Sequence, residues 1–273
     1  MITGLSATME DWYPFATELG KRRTVLLVDH RGIGESQAPP HWDEDLSLEL
    51  MGRDVLRVVG SLGPQFKRIN LLGWSMGGLI TQVLLTLDDA KPSSEGGIDL
   101  MGIHISRAVL AATMTKMPRG DFHPKKMEPR ASQASSRQEG KRIITTTMME
   151  YQYDPTFLSS NDALFQSRIQ TALDSRRPQS IILLQSGAIA PVNVGGVLER
   201  VPASLPVLII HGKLDRMVAF SESDLIQKGI KHAKRIPTPS DQYGHFWHDY
   251  FSPEFWAESI DKFLNERGAQ AKL

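Results

Sequence analysis

Gly73-Trp74-Ser75-Met76-Gly77 sets a serine between two glycines, each two residues away. A serine hydroxyl is a poor nucleophile at neutral pH, so chemistry here needs a turn that exposes it and a base that deprotonates it. The flanking residues predict that turn. Residues 69–72 (Ile-Asn-Leu-Leu) read as a buried strand, and Met76, Leu79, Ile80, Val83, Leu84 and Leu87 recur at helical spacing as one apolar face. On so tight a strand-to-helix turn the serine backbone is strained, and its neighbours must lack a Cβ to avoid collision. The turn also aims the Met76 N–H and the following helix's N-terminus at one point, where an oxyanion can be held. The bland alternative is an ordinary glycine-rich turn. The strand–turn–helix context is what lifts the motif above it.

A serine nucleophile needs a base, and the base needs an orienting acid. Of eight histidines, His245 is the best placed, in Gln242-Tyr-Gly-His-Phe-Trp247 between a last strand around 232–236 and a final helix. His248 lies three residues on and is its rival; Gly244 puts His245 ahead. For the acid, Asp215 stands in His211-Gly-Lys-Leu-Asp-Arg-Met-Val218, just past a strand at 207–210. Asp99, before a strand at 108–112, is the alternative. Strand ends along one edge of a parallel sheet are where such groups converge.

The elements that must position these groups alternate. Residues 25–28 (Val-Leu-Leu-Val) form a candidate strand, and Leu48, Met51, Val55, Val58 and Leu62 mark a helix face. Ser252-Pro253-Glu254 is a helix start, with Trp256, Ile260, Phe263 and Leu264 on its buried side. Strands alternating with helices predict a mostly parallel sheet covered on both faces. The alternation lapses over 113–200, which reads as an insertion between two strands of a core formed by 1–112 and 201–273. Within it, 116–142 is polar and basic, as in a solvated loop, whereas 157–198 is amphipathic and helical.

Composition narrows the classes. The 273 residues suit one large domain, or one domain with an inserted subdomain. Basic and acidic residues balance at 31 each, so no global charge steers the protein toward nucleic acid or an anionic membrane. There is no cysteine, which excludes disulfides, thiolate catalysis and cysteine-ligated metal. His211 and His245 are too isolated to suggest zinc. The opening MITGLSATMEDW lacks a secretory signal's basic start and apolar core. The charge-free stretches 69–87 and 180–198 are broken by glycines and polar residues, unlike a membrane span. The expectation is a soluble, cytoplasmic protein acting on a small molecule, with no metal, organic cofactor, nucleic-acid or membrane partner.

G-W-S-M-G-G, H-G-K-L-D-R-M-V and Y-G-H, in the order serine, aspartate, histidine, resemble the nucleophile elbow, acid turn and histidine loop of the α/β-hydrolase superfamily. The resemblance spans nearly the whole chain. It implies an α/β-hydrolase fold, a mostly parallel sheet with helices on both faces, and 113–200 as a helical cap over Ser75. It implies Ser75, Asp215 and His245 as a catalytic triad. Asp29 to Ser36 (D-H-R-G-I-G-E-S) is similar to the turn after the family's fourth strand, and its role, like that of His30 and His211, reads as structural. Thr3-Gly4-Leu5 stands where the family has a His-Gly pair followed by an oxyanion donor, with a family-like Met9-Glu-Asp-Trp12 behind it. This makes the Leu5 N–H the second donor beside Met76; Thr3 departs from the usual histidine. The implied reaction is hydrolysis of a carboxylic ester, lactone or related bond through an acyl-enzyme. Serine at the elbow argues against the family's carboxylate-using dehalogenases and epoxide hydrolases, while carbon–carbon hydrolysis and cofactor-free perhydrolysis remain alternative uses of the same triad.

In the family's sheet, two strands and most of a third precede the position of Thr3-Gly4, about 20 to 30 residues of strand and turn. The expectation is that these N-terminal strands are missing and that a gap separates 25–28 from 69–72. On that view the chain is an incomplete form of an active enzyme, or an inactive homologue.

Overall fold

The structure, a computed structural model, describes residues 1–38, 45–117, 120–121 and 134–266. The first helices are α1 (Phe15–Gly20) and α2 (Leu48–Ser61), the latter capped by Ser47, whose hydroxyl accepts from the Leu50 N–H at 3.0 Å. Strand β1 (Arg68–Trp74) runs directly into α3 (Met76–Thr86), with Ser75 between them. Two short strands, β2 (Lys91–Pro92) and β3 (Ile98–Leu100), lead to the long β4 (Ile103–Ala111). Four helices follow, α4 (Arg137–Glu150), α5 (Pro155–Ser160), α6 (Asp162–Asp174) and α7 (Gln179–Ile189). The chain then returns to the sheet with β5 (Val207–Ile210), α8 (Ser221–Gly229), β6 (Lys234–Arg235) and α9 (Pro253–Asn265).

The sheet is built around β4. Along one side it pairs in parallel with β1, from Arg68 opposite His104 to Trp74 opposite Ala111. Along the other, its start pairs antiparallel with β3 and its end pairs in parallel with β5, which pairs with β6. Successive residues face opposite sides, so each strand feeds two cores. Leu71, Ala108, Leu110, Val207 and Ile209 pack with α2 and α3. Leu72, Val109, Ala111, Leu208 and Ile210 pack with Trp12, Phe15, Trp247, Trp256 and Ile260 on the other side. The near-continuous apolar strands 69–72, 108–112 and 207–210 are what a sheet buried on both faces requires.

Two expectations need correction. Residues 25–28 do not form a strand; only Val28 bridges, to Ile2. A strand exists through a partner's row of N–H and C=O groups, and here only Met1, whose amino terminus donates to Leu26 O at 2.6 Å, and Ile2 lie alongside. The Ile2 N–H donates to Leu72 O at 2.8 Å, and its carbonyl accepts from the Trp74 N–H at 3.1 Å. Fully buried, Ile2 holds one rung between Val28 and Gly73. Residues 25–28 stay half-buried, and an open cavity of about 340 Å³ lies beside Val25 and Leu27. The second correction concerns 116–142. Its last six residues belong to α4, started by Ser136 accepting from the Glu139 N–H at 3.1 Å, and most of the remainder lies outside the described residues. The strand reading also left out β2, β3 and the first residues of β4, which pair antiparallel. Among the described residues no helix is long and apolar enough to cross a membrane.

Candidate active site

Ser75 has φ 56° and ψ −121°, a backbone conformation that costs energy for any residue with a side chain. The turn holds it there through two bonds. The Ser75 N–H donates to Ala111 O at 2.9 Å, and the Thr113 hydroxyl donates to Ser75 O at 2.6 Å. The flanking glycines are sterically required. A Cβ on Gly73 would lie 2.2 Å from Gly77 O, and one on Gly77 would lie 2.1 Å from Ile2 O. Strand β1, helix α3 and the Ile2 rung therefore meet at a point no side chain could share.

The turn at Gly4–Ala7 lies against the same point. A Cβ built on Gly4 would stand 3.1 Å from Ser75 Cβ, and the Ala7 N–H closes the turn on Gly4 O at 3.3 Å. Among the described residues neither the Leu5 N–H nor the Met76 N–H has an acceptor. Two unused backbone donors beside a strained serine are what an oxyanion hole needs. Thr3 fits where a histidine was expected, because its contribution is the backbone carbonyl, 3.3 Å from His30 Nε2. Burial lowers the His30 pKa to about 4, so its ring stays neutral, a structural part of the site.

Asp215 follows β5. Its Oδ1 accepts from the Met217 and Val218 N–H groups at 2.9 and 2.8 Å. Its Oδ2 lies 2.8 Å from His245 Nδ1 and 3.3 Å from His211 Nε2. Burial acts to raise the carboxyl pKa, but the His245 and His211 rings outweigh it and hold it well below the usual carboxylate range. An ionised carboxylate only accepts, so in the neutral form of His245 the proton sits on Nδ1 and Nε2 keeps its lone pair. His211 Nε2 also lies 2.9 Å from Val218 O, another pure acceptor, so it too carries its proton and braces Asp215.

His245 is fixed from two sides. Its carbonyl accepts the Trp74 indole N–H at 3.0 Å, and its N–H donates to Gln152 O at 2.9 Å. Trp74 precedes Ser75, and Gln152 lies in the link between α4 and α5. The structure thus brings His245, Asp215 and the Ser75 turn to one corner of the sheet. Among the described residues no hydrogen bond joins the Ser75 hydroxyl to His245, and in unliganded sites such bonds are commonly long until substrate arrives.

The rival residues stand elsewhere. His248 is buried among the rings of Trp12, Phe15, Trp74, Phe246 and Trp247, and burial lowers its pKa. Its Nδ1 lies 3.4 Å from Asp249 Oδ1 without hydrogen-bond geometry. Asp99 is in β3, with its carboxylate 2.7 Å from His104 Nδ1. His104 to Ala111, which receives the Ser75 N–H, is seven residues of strand, about 23 Å. Asp29, as expected, ties its turn together, accepting from Met9 and Glu35 N–H groups at 2.7 and 2.9 Å.

Sequence reasoning missed Gln152 and Gln185, which contact His245 and the Ser6 turn from the segment between β4 and β5, and Arg168, which ties that segment to Asp249 and to the Asp11 and Tyr13 carbonyls. Only Gln185 carried a signal, as the polar residue that ends the apolar run 181–184.

A family model described as the alpha/beta hydrolase fold matches residues 1–249. The chain is 24% identical over 242 residues to the AB hydrolase superfamily protein YisY of Bacillus subtilis, covering 85% of this chain and 79% of that protein. Among solved structures it is similar to the enol-lactonase from Burkholderia xenovorans, with TM-score 0.71, 19% identity, and 97% and 90% of the two chains covered. It is also similar to a thermophilic esterase from Thermogutta terrifontis, with TM-score 0.71, 21% identity, and 96% and 87% covered. With a strand–serine–helix turn between β1 and α3, Asp215 just past β5, His245 in the loop after β6, and a family match over most of its length, the chain belongs to the alpha/beta-hydrolase family and is an enzyme of that type.

Proposed function

We propose that the protein hydrolyses a carboxylic ester or lactone of a small molecule through an acyl-enzyme on Ser75. The observation that carries the proposal is the 2.8 Å contact of His245 Nδ1 with Asp215 Oδ2, on a loop that Trp74 ties to the serine turn. It leaves His245 Nε2 as the free base. Nε2 takes the Ser75 proton as Oγ bonds to the carbonyl carbon, and Asp215 stabilises the imidazolium. The Leu5 and Met76 N–H groups hold the oxyanion. The C–O bond then breaks, the alcohol leaves with the proton from Nε2, and water attacks the acyl-enzyme by the same route in reverse.

We further propose that 113–200 acts as a cap between core segments 1–112 and 201–273. Two contacts support it: Gln152 O on His245, and Gln185 Oε1 on Ser6 N–H at 2.9 Å. The esterase and enol-lactonase among the structurally similar proteins favour oxygen esters over other bonds.

The test is turnover of a panel of aryl esters, alkyl esters and lactones by the wild type, Ser75→Ala and His245→Ala. At least one substrate should be hydrolysed by the wild type and lose several orders of magnitude in either variant. Equal turnover by wild type and Ser75→Ala would refute the proposal.

A further inference from the structure

Gln185 is fully buried in α7, and the chemistry above does not use its side chain. Its Oε1 accepts from the Ser6 N–H at 2.9 Å, across 179 residues of chain. Ser6 has φ 59° and directly follows Leu5, in the turn that lies against Ser75. Because an N–H can only donate, the amide orientation is settled: Oε1 faces Ser6 and Nε2 faces away from it. That Nε2 is buried and has no hydrogen-bond partner among the described residues. It is bonded to the same carbon as Oε1, so it stands within one amide width of the oxyanion turn.

Helix α7 is seated firmly enough to make this placement meaningful. Ile181, one turn before Gln185 on the same face, packs so closely on the 29–36 turn that a Cβ on Gly32 would meet its side chain at 2.9 Å. A buried amide donor without an acceptor is unfavourable wherever it occurs. A substrate ester seated on Ser75 would bring oxygen acceptors to the same turn.

We propose that Gln185 binds substrate: Oε1 holds the oxyanion turn, and Nε2 donates to a second oxygen of the substrate, outside the scissile carboxyl group. An amide N–H is a neutral donor, so the substrate class is an ester or lactone bearing an additional uncharged acceptor, a keto or ether oxygen. This rests on the reading of Ser75 as nucleophile.

The test uses two pairs of esters that differ by one oxygen in place of a methylene. Para-nitrophenyl methoxyacetate and butyrate place it on the acyl side; methoxyethyl acetate and butyl acetate place it on the alcohol side. Each kcat/KM is divided by the ester's rate with hydroxide, which removes intrinsic reactivity. In at least one pair the wild type should favour the ether-bearing ester about tenfold or more. Gln185→Met, which has the shape without the polar atoms, should erase the preference, and its kcat on the plain esters should also fall because the turn loses its anchor. Gln185→Glu, which keeps an oxygen toward Ser6 but has no donor, should erase the preference as well, and it serves if the methionine variant does not fold. No wild-type preference in either pair, or a preference that survives in a folded variant, overturns the proposal. Fluorophosphonate labelling of Ser75 in each variant separates the two readings: label with unchanged preference sinks only the role of Gln185, whereas no label in the wild type sinks the nucleophile.

Discussion

Trp74 donates its indole N–H to the carbonyl of His245 at 3.0 Å, a buried bond between residues 171 positions apart. It joins the residue before the proposed nucleophile to the residue proposed to deprotonate it. Trp74→Phe should keep much of the edge-on packing with Phe246, whose ring centroid is 4.6 Å away, and lose only the bond and part of the ring. The orphaned carbonyl should cost about 1–3 kcal/mol of stability. Ester turnover should fall about tenfold, since small displacements of a catalytic base cost rate steeply. Thermal unfolding and kcat on the same preparation check both; unchanged kcat with lowered stability would show that the bond serves folding alone.

Asp215→Asn should separate charge from shape. Oδ1 accepts two backbone N–H groups, so the amide oxygen must take its place. The new NH2 then faces His245 Nδ1 and His211 Nε2, donor against donor. His245 can relieve this only by moving its proton to Nε2, which removes the base. Turnover should drop by about 10³ to 10⁴. Asp99→Asn, on the exposed face of β3, should leave turnover near the wild-type level.

Much of the candidate site was legible in the sequence because each group sits in a local motif beside a strand end or ahead of a capped helix. Ser75 follows an apolar strand and precedes a helix; Asp215 follows the run 207–210; His245 precedes a capped helix. Local pattern encodes such positions. It does not encode that 25–28 would find one rung of partner instead of a strand, because pairing depends on what lies alongside. Nor does it encode the contacts that Gln152, Arg168 and Gln185 make with the core. Those contacts exist only once the inserted helices fold back on the core, and no periodicity reports that.

Arg168 illustrates such a contact. From α6 it donates through Nε to Asp249 Oδ2 at 2.9 Å, and to the carbonyls of Asp11 and Tyr13 at 3.1 and 2.9 Å. Tyr153 donates to the same carboxylate at 2.7 Å. Burial acts to raise the Asp249 pKa, yet His248 and Arg168 hold it well below the usual carboxylate range. Arg168→Met would leave that anion buried without its cation, at a cost of about 3–5 kcal/mol. Arg168→Lys should rescue little, because one ammonium cannot reach the carboxylate and both carbonyls at once. Urea unfolding of the two variants is the check; a midpoint near the wild-type value for Arg168→Met would contradict the assignment.

Stability should fall on mild acidification. His30 has a folded pKa of about 4 against an unfolded value near 6.5, and burial also lowers that of His248. Between those values the unfolded chain binds more protons than the folded one, so stability rises with pH through this window. Falling from pH 6.5 to 4, His30 alone would remove up to about 3 kcal/mol. His248→Phe, in its nest of aromatic rings, should flatten part of the dependence. Equal unfolding midpoints in urea at pH 7 and pH 5 would contradict both assignments.

The most direct measurement of the central claim is peptide mapping after reaction with a fluorophosphonate. The account predicts one adduct, on the peptide containing Gly73–Gly78, with the phosphorus on Ser75. The adduct should vanish in Ser75→Ala and form far more slowly in His245→Ala. An adduct on another residue, or labelling that persists in Ser75→Ala, would contradict the account.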